Sequence, residues 1–357
     1  MNRLNHFLSI LFMFLATTIM AQPAPEPMLT WKTLKPIPDS LGFAGSFAGV
    51  VDGALLVAGG ANFPDGGAPW TGSVKVWHDG IYMLEKAGEN WTLAGKLPHA
   101  LGYGASITYK NTLIILGGSN EKGHHADAWM LSRKNGKLLT TSLPQLPAAL
   151  ANTSAVLIGD VIYLAGGIRA ADAKVASSDF WTMDLAAKDK KWTIHETWPG
   201  APRMLSVCGA GDGKFYLFSG VALNDGVRSY LKDAYAYAPK TGWKKLADLP
   251  KSVAAAPGPA YLADASNLFI FGGDDGTLAP QAATLKDKHP GFSNEISSYN
   301  TSTNTWSVAG KVPGKPPVTT TMAIWNGAVV IPGGEVRPAI RTPEVLIASP
   351  HPKSANP

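Results

Sequence analysis

The stretch ALLVAGG, residues 54–60, is an apolar strand pattern that ends in two glycines, and it decides the fold because it recurs. Five further segments repeat it, each ending in glycine after a small residue or a second glycine. They are TLIILGG (112–118), VIYLAGG (161–167), KFYLFSG (214–220), NLFIFGG (267–273) and AVVIPGG (328–334). The final glycines are 49 to 61 residues apart, so the chain contains six structural repeats.

A second pattern, a tryptophan strand that ends in proline, runs out of phase with the first. Clear copies are WTLAGKLP (91–98), WKKLADLP (243–250) and WSVAGKVP (306–313), with looser copies at Trp192 and Leu139. Tryptophan offers a large apolar surface for packing between sheets, and proline ends an outer strand. Each repeat therefore predicts one blade built from a glycine strand, a middle strand and a tryptophan strand.

The sixth copy of the tryptophan pattern, WKTLKPIP, is displaced to Trp31, while only one strand, predicted over residues 344–348, follows the last glycine pair. An N-terminal strand should therefore complete the last blade, and such closure removes exposed sheet edges. Helical periodicity is nearly absent, and the repeat length is close to that of kelch blades. The predicted fold is all-β: a six-bladed kelch-type β-propeller, with its ring closed by an N-terminal strand joining the last blade.

The first 21 residues have the features of a secretory signal peptide. Arg3 precedes an apolar run over residues 7–20 that is too short to span a bilayer, and Ala21 precedes a proline-rich stretch. The domains expected are a signal peptide (1–21), a single propeller (22–349) and a C-terminal tail (350–357). We therefore expect a periplasmic or secreted protein after cleavage near Ala21, with no other membrane span.

Charge and cysteine content exclude several function classes. The net charge is +5, and basic residues are scattered singly or in pairs, so no nucleic-acid surface is predicted. The single cysteine, Cys208, cannot form an internal disulfide. His78 and the His124–His125 pair lack a third ligand at a recognisable spacing, so no metal is expected.

The segment GGEVRPAIRTPEVLI, residues 333–347, is the strongest local signal for a site. Glu335 directly follows the last glycine strand, at an end that should open near the central channel, and Arg337 and Arg341 follow within six residues. A carboxylate and a guanidinium on one loop offer a proton carrier and a fork for an anionic group. On spacing alone, a salt-bridged surface turn explains the same residues.

This segment, together with residues 41–70, 74–84 and 100–118, resembles the N-acetylneuraminate epimerase family, the bacterial sialic acid mutarotases. The matching segments are LGFAGSFAGVVDGALLVAGGANFPDGGAPW, VKVWHDGIYML and ALGYGASITYKNTLIILGG. The resemblance extends over the whole chain after the signal peptide in a rotated order, as in the cyclically permuted branch of the family. It implies an isomerase that interconverts the α and β anomers of N-acetylneuraminate by ring opening and reclosure, without a cofactor.

The resemblance also implies roles for individual residues. Glu335 matches the family's acid/base and Arg341 its conserved arginine, so these two are the expected catalytic pair, with Arg341 holding the C1 carboxylate. Further substrate-binding candidates are Arg203, Arg337, Asn62, Asp65, Trp70 and Tyr103. Asn62, Asp65 and Trp70 are equally explained as turn or rim-packing residues, and Tyr103 as core. Residues 274–292 are shorter than a helical insertion of some family members, which leaves their role open.

The alternative from another class is a non-catalytic glycan- or protein-binding kelch propeller of the cell envelope. A sialidase is disfavoured because TSTNTW (301–306) lacks the aspartate and glycine of an Asp-box turn. Copper chemistry of the galactose-oxidase kind is disfavoured because Cys208 lies within an apolar strand. The expected partner is a small-molecule sialic acid; the preferred derivative, the oligomeric state and the pathway partners are left open.

Overall fold

The computed structural model describes residues 28–351. The predicted signal peptide, residues 1–21, and most of the predicted tail, residues 352–357, lie outside the described residues. Within residues 28–351, none of the helices has the length and apolar character needed to cross a membrane.

Six four-stranded antiparallel sheets surround a central channel, which confirms the predicted six-bladed propeller. Each blade has one strand more than the sequence pattern predicted, because a short innermost strand precedes each glycine strand and contacts the innermost strands of neighbouring blades. Blades are numbered here by their glycine strands, and strands are given from the channel outward. Blade 1 contains Phe47–Val51, Ala54–Ala58, Gly80–Leu84 and Thr92–Lys96; blade 2 contains Ala105–Tyr109, Thr112–Asn120, Gly123–Lys134 and Lys137–Ser142; blade 3 contains Ser154–Ile158, Val161–Ala165, Phe180–Asp184 and Trp192–Ile194. Blade 4 contains Val207–Gly211, Lys214–Phe218, Ala234–Ala238 and Gly242–Lys245; blade 5 contains Tyr261–Leu262, Asn267–Phe271, Glu295–Asn300 and Thr305–Lys311; blade 6 contains Ala323–Trp325, Ala328–Pro332, Val345–Pro350 and Leu29–Leu34.

Short elements lie in the loops that follow the glycine strands. Three two-stranded hairpins pair Ala61–Asn62 with Val76–Trp77, Val221–Asn224 with Val227–Tyr230, and Glu335–Arg337 with Ile340–Arg341. The described helices are one α-helical turn, Ala282–Leu285, and three 3₁₀ turns, Pro69–Thr71, Ala279–Gln281 and Lys286–Lys288. These loops lie at one end of the channel and form its rim.

The N-terminal strand closes the ring, as the displaced tryptophan pattern predicted. Leu29–Leu34 pairs antiparallel with Val345–Pro350 in blade 6, and Trp31 lies opposite Ala348. The last strand continues to Pro350, one residue beyond the predicted domain boundary, because Pro350 pairs with Leu29. Leu29–Leu34 is the outermost strand of blade 6, and it covers the edge that Val345–Pro350 would otherwise expose.

Outer-strand tryptophans join each blade to the one before it. In four blades the indole N–H donates to a backbone carbonyl just after the outer strand of the preceding blade, at 2.8 to 3.0 Å. The donors and acceptors are Trp91 to Lys35, Trp192 to Pro144, Trp243 to Glu196 and Trp306 to Ala247. Each such bond contributes about 1 kcal/mol, and ring burial contributes more, so these residues stabilise the blade interfaces.

One residue from each blade joins a ring of backbone hydrogen bonds around the channel, called here the axial ring. Its members are Gly45, Tyr103, Asn152, Leu205, Ala255 and Thr319, with φ between 52° and 70°. Each N–H donates to the carbonyl of the member in the preceding blade, at 2.7 to 2.9 Å. Side chains disfavour this left-handed conformation, so the closed set of bonds stabilises it. Glycine is required at Gly45, where a Cβ would lie 2.7 Å from the ring of Tyr103.

The axial ring separates two cavities. The smaller, of about 80 Å³, lies among the innermost strands, while the larger, of about 1110 Å³, lies at the mouth and is bounded by loops from all six blades. Five members of the ring line both cavities: Tyr103, Asn152, Leu205, Ala255 and Thr319. The mouth cavity is therefore where side chains of all six repeats can meet one ligand.

Candidate active site at the mouth of the channel

A two-stranded hairpin carries Glu335 and Arg341 into the mouth cavity. The two residues lie opposite each other in the hairpin, with Arg341 Nη2 3.5 Å from Glu335 Oε2. The N–H of Ala339, in the turn, donates to Glu335 Oε1 at 3.0 Å. Gly334 lets the hairpin start here, since a Cβ at this position would lie 2.7 Å from Pro317. Both predicted catalytic side chains thus line the cavity, 3.5 Å apart.

Arg341 has unused hydrogen-bonding capacity. Its side chain is only 4% exposed, and its guanidinium lies 4.7 Å above the ring of Phe63. Nη2 faces Glu335, but Nε and Nη1 are buried and have no hydrogen-bond partner among the described residues. Buried donors of a charged group are costly to leave unpaired, so these two atoms favour a ligand with acceptor oxygens.

Lys75 and Tyr103 lie beside this pair. The ammonium of Lys75 is 5.1 Å from the Tyr103 ring centre and 5.4 Å from that of Trp77. Burial lowers the pKa of Lys75, Arg341 lowers it further, and Glu335 opposes both effects. Burial raises the pKa of Tyr103, whose hydroxyl is next to Arg341 but makes no hydrogen bond among the described residues. Two basic groups therefore face one carboxylate, which leaves a positive field for an anion.

Other parts of the cavity wall are polar. The Tyr230 hydroxyl donates to Asp274 Oδ2 at 2.6 Å, and burial together with this hydrogen bond raises the pKa of Tyr230. His124 also lines the cavity; burial lowers its pKa, and neither ring nitrogen has a partner among the described residues. Such groups can bind hydroxyl or amide groups of a ligand.

Residues 274–292 form part of the cavity wall. Asp274, Ala279, Ala282, His289 and Phe292 all line the cavity. The segment contains only short helical turns, so it borders the site without covering it.

Arg203, predicted to bind substrate, is not at the cavity. Its side chain is fully buried between the rings of Trp198 and Tyr235, and its guanidinium bonds Asp233 Oδ2 at 2.7 Å and the carbonyl of Ser219 at 3.0 Å. These partners occupy hydrogen-bond donors of the guanidinium inside the protein. The prediction for Arg203 was wrong because a proline–arginine pair at a blade start served packing rather than the channel.

Arg337 also points away from the cavity. Residues two apart on a regular strand share a face, but an irregularity in the register between Glu335 and Arg337 separates their side chains, and Arg337 donates to the carbonyl of Asp287 at 2.6 Å. It does not line the cavity and instead ties the hairpin to residues 286–288.

Three candidates after the first glycine pair also lie outside the cavity lining. Asn62 is buried and bonds Gly42 and His78, while exposed Asp65 accepts hydrogen bonds within its own turn from Gly67 and Ser73. The indole N–H of Trp70 is buried without a partner among the described residues. Of the six substrate-binding candidates, only Tyr103 lines the cavity, since the loop of blade 1 directs Lys75 and Trp77 inward instead.

Sequence reasoning missed Lys75, Trp77, Tyr230 and Asp274. The signal that could have found them is their position within the repeat, because each lies in the segment after a glycine strand, as Glu335 does. Their distances from the final glycines differ between repeats, however, so the loop lengths hide the correspondence.

One group of possible metal ligands lies outside the cavity lining. Ligand atoms of His99, His125 and Asp127 lie within 4.8 Å of one another. The expectation that His125 lacks a third ligand was therefore wrong, because Asp127 comes only two residues later and His99 arrives from the preceding blade. His124 faces the cavity and takes no part in this group.

Comparison with known proteins identifies the family. The profile of the N-acetylneuraminate epimerase family matches residues 17–141 and 143–284. Similar proteins named N-acetylneuraminate epimerase come from Haemophilus influenzae (strain PittEE), 31% identical over 222 residues, covering 56% of this chain and 57% of that protein, and Shigella sonnei (strain Ss046), 29% identical over 225 residues, covering 57% and 59%. The alignments thus span little more than half the length of these curated relatives.

A solved structure titled "Structure of YjhT" superposes with a TM-score of 0.65 at 15% identity, covering 88% of this chain and 97% of that one. This likeness concerns the fold alone. The matched family residues end before Glu335, so the assignment of that hairpin rests on its own geometry. Because the family profile covers most of its length, the chain belongs to the N-acetylneuraminate epimerase family.

Proposed function

We propose that this protein is an isomerase that interconverts the α and β anomers of N-acetylneuraminate. One observation carries the proposal: Glu335 lies in the mouth cavity beside an arginine that has two buried donors without partners among the described residues. The site thus pairs a proton carrier with an unfilled anion position. Membership of the N-acetylneuraminate epimerase family supports this substrate.

The charge of the substrate fits the free donors. N-acetylneuraminate carries a carboxylate on C2, the carbon whose configuration changes, so binding the carboxylate places C2 beside the same residues. A guanidinium can donate two parallel hydrogen bonds to a carboxylate from Nη1 together with Nη2, so the free Nη1 of Arg341 can form such a fork with the second hydrogen of Nη2, and Nε can donate a separate hydrogen bond. Lys75 adds a second positive charge nearby. Arg341 and Lys75 would therefore select the anion and orient its reactive carbon.

Glu335 then carries the proton. It accepts the proton of the C2 hydroxyl and delivers it to the ring oxygen as the C2–O bond breaks, giving the open-chain ketone. Rotation about the C2–C3 bond exposes the other carbonyl face. Glu335 takes the proton from the sugar hydroxyl that re-forms the ring and returns it to the former carbonyl oxygen. Atoms and protons balance, and such acid–base catalysis gives about 10²–10⁴-fold.

The remaining cavity can hold the rest of the sugar. Its volume of about 1110 Å³ leaves room for rotation within the open chain. Tyr230, Asp274 and His124 present polar groups that can bond the glycerol and N-acetyl substituents. We expect these contacts to affect binding more than proton transfer.

The test follows freshly released α-N-acetylneuraminate by proton NMR as it equilibrates with the β anomer. The protein should accelerate equilibration, and Glu335→Gln should remove the acceleration. Glu344→Gln, which changes an exposed glutamate nine residues away, is the matched control and should keep the wild-type rate. If wild-type protein leaves the spontaneous rate unchanged, the mutarotase proposal fails, and saturable binding of the sugar would then favour the non-catalytic glycan-binding alternative.

We also propose that the protein works outside the cytoplasm, on the strength of the signal-peptide pattern in residues 1–21. The measurement is the N-terminal sequence of protein recovered from the periplasm or medium. A chain that keeps Met1 and stays in the cytoplasm would refute export.

A further inference from the structure

A cluster of two histidines and one aspartate lies between blades 1 and 2. His99 belongs to the connection that follows the outer strand of blade 1, while His125 and Asp127 lie in the Gly123–Lys134 strand of blade 2. His99 Nε2 is 2.8 Å from Asp127 Oδ2, and His125 Nδ1 is 3.4 Å from the same oxygen. The two imidazole rings are 4.7 Å apart. One carboxylate oxygen therefore meets a nitrogen from each ring.

Blade 4 shows how the same position is filled elsewhere. Asp233 precedes Ala234, which pairs with Phe218 at the end of its glycine strand, and Asp127 precedes Ala128, which pairs with Leu116 in the same way. Asp233 is neutralised by the buried guanidinium of Arg203.

In blade 2 that guanidinium is missing. The bridges Gly102–Ser119 and Met204–Val221 are equivalent, so Leu101 stands where blade 4 has Arg203. Among the described residues, the basic side chains in ion-pair range of Asp127 are the two imidazoles. In blade 4 this aspartate is paired with an arginine, which is always charged. In blade 2 it is paired with two imidazoles, which are neutral when unprotonated.

The orientation of His99 suits a ligand. Its Nδ1 lies 3.0 Å from the carbonyl of Ala100, where a proton on Nδ1 would be donated. Nε2 then carries the lone pair toward Asp127, and a backbone carbonyl that fixes the tautomer in this way is typical of metal-binding histidines. Asn120 donates to the same carbonyl at 3.0 Å and so helps to hold the loop.

His125 gives a second, independent indication. Its Nδ1 lies 3.4 Å from the Asp127 oxygen that also meets His99, so a second imidazole nitrogen is directed at the same carboxylate oxygen. A simple His99–Asp127 ion pair needs no second imidazole at this place. A metal ion bonded to Asp127 and both rings explains why the three groups converge.

We propose that His99, His125 and Asp127 bind one divalent transition-metal ion, with Zn²⁺ the preferred ion. Two nitrogens and one oxygen form a ligand set that Zn²⁺ accepts, and bonds of about 2.0–2.2 Å require ligand atoms about 3.0–3.6 Å apart. The separations from Asp127 are 2.8 and 3.4 Å, and all three ligand atoms lie within 4.8 Å of one another, so the two imidazoles would have to move closer together to share one ion. The ion would join blade 1 to blade 2 beside the cavity rim, and the exposed fractions of 22% to 36% leave a path for entry.

The test is calorimetric titration of the metal-free full-length protein with ZnCl₂. One ion per chain should bind with a dissociation constant in the micromolar range or below, and bound Co²⁺ should show visible absorption bands typical of nitrogen and oxygen ligands. His125→Asn and Asp127→Asn should each weaken Zn²⁺ binding at least tenfold. Circular dichroism of each variant without metal checks that it is folded.

His195→Asn is the matched control. His195 is also a partly buried imidazole, bonded to Thr182 in blade 3, and this variant should bind Zn²⁺ within twofold of wild type. No binding at about 1 mM ZnCl₂, or equal affinity in wild type and His125→Asn, would overturn the proposal. Neither measurement involves a sugar, so its outcome is independent of the mutarotase assay.

Discussion

Two arginine–carboxylate pairs in this propeller look alike in the sequence and differ in what surrounds them. Arg203 and Asp233 lie inside blade 4, where the guanidinium is fully buried and bonds to carbonyls as well as to the aspartate. Arg341 and Glu335 lie at the cavity, where the guanidinium is almost as deeply buried but keeps two donors free of protein partners within residues 28–351.

The difference separates a structural pair from the pair that we propose binds the ligand. Burial alone does not distinguish them, since both arginines are at most 4% exposed. Hydrogen-bond satisfaction does, because an arginine whose donors are all used has nothing left to offer a ligand. We therefore expect substitutions at the two pairs to affect different quantities.

The largest expected effect is on catalysis at the cavity pair. Glu335→Gln should slow enzyme-dependent equilibration of the anomers by about 10²–10⁴-fold, because it removes the proton carrier. The free energy of unfolding should change by no more than about 1 kcal/mol, since Gln can still accept the Ala339 hydrogen bond. NMR rates and urea denaturation measure the two quantities. A variant whose free energy of unfolding falls markedly while its catalytic rate is unchanged would reverse the comparison.

The structural pair should show the opposite pattern. Arg203→Met should reduce the free energy of unfolding by about 3–5 kcal/mol, because Asp233 is left in a partly buried position without its partner. Arg133→Met is the control: this arginine pairs with Glu85, which is 40% exposed and stays hydrated without its partner, so the loss should cost less than about 1 kcal/mol. Denaturation curves decide the point, and similar costs for both variants would show that burial of the pair is unimportant.

Arg341→Lys should sharpen the comparison with a smaller effect. Lysine keeps the charge but loses the planar fork, so KM for N-acetylneuraminate should rise about tenfold, or about 1.4 kcal/mol of binding. The value of kcat should fall less, because Glu335 is retained. Initial rates at several sugar concentrations separate the two constants. An unchanged KM would mean that Arg341 does not hold the carboxylate.

The smallest expected effect is the pH dependence of the structural pair. Burial opposes ionisation of Asp233, but Arg203 and Tyr235 outweigh it and lower its pKa below 3.8. This contribution to stability is present above the unfolded pKa and is lost as pH falls through the folded pKa. In Arg203→Met the arginine no longer opposes burial, and only the weaker effect of Tyr235 remains, so the pKa of Asp233 should rise relative to wild type and acid should destabilise the variant less.

The free-energy difference between wild type and Arg203→Met should therefore shrink by about 1 kcal/mol between pH 6 and about pH 3.5. Urea denaturation at both pH values measures it. A difference that grows as pH falls would contradict the assigned direction of the pKa shift.

The propeller could be predicted from sequence because its repeats are visible to a simple pattern. The glycine strands and tryptophan strands recur, and displacement of Trp31 identified the closing strand correctly. The innermost strands were missed because they are short and precede the pattern; blade 5 contributes only Tyr261–Leu262. Their position depends on contacts between the innermost strands of neighbouring blades, which a local sequence pattern does not contain.

The site was only partly predictable for a related reason. Glu335 and Arg341 share one hairpin, so local sequence sufficed to place them together. Lys75 and Tyr230 reach the cavity from separate repeats through loops of different length. The predicted substrate-binding role of Arg203 failed because the identity of a residue does not reveal whether its partners lie inside the protein. That information exists only once the blades are assembled.

The axial ring also determines how molecules can enter and leave. Its six backbone donors and acceptors bond one another around the channel, and the space beneath, about 80 Å³, is large enough for a few water molecules. The mouth cavity is thus closed at its inner end by the axial ring and opens at the rim. In the proposed reaction both anomers would use that opening, so each would compete with the other for the same site. Any partner that covers the rim would stop uptake and release together.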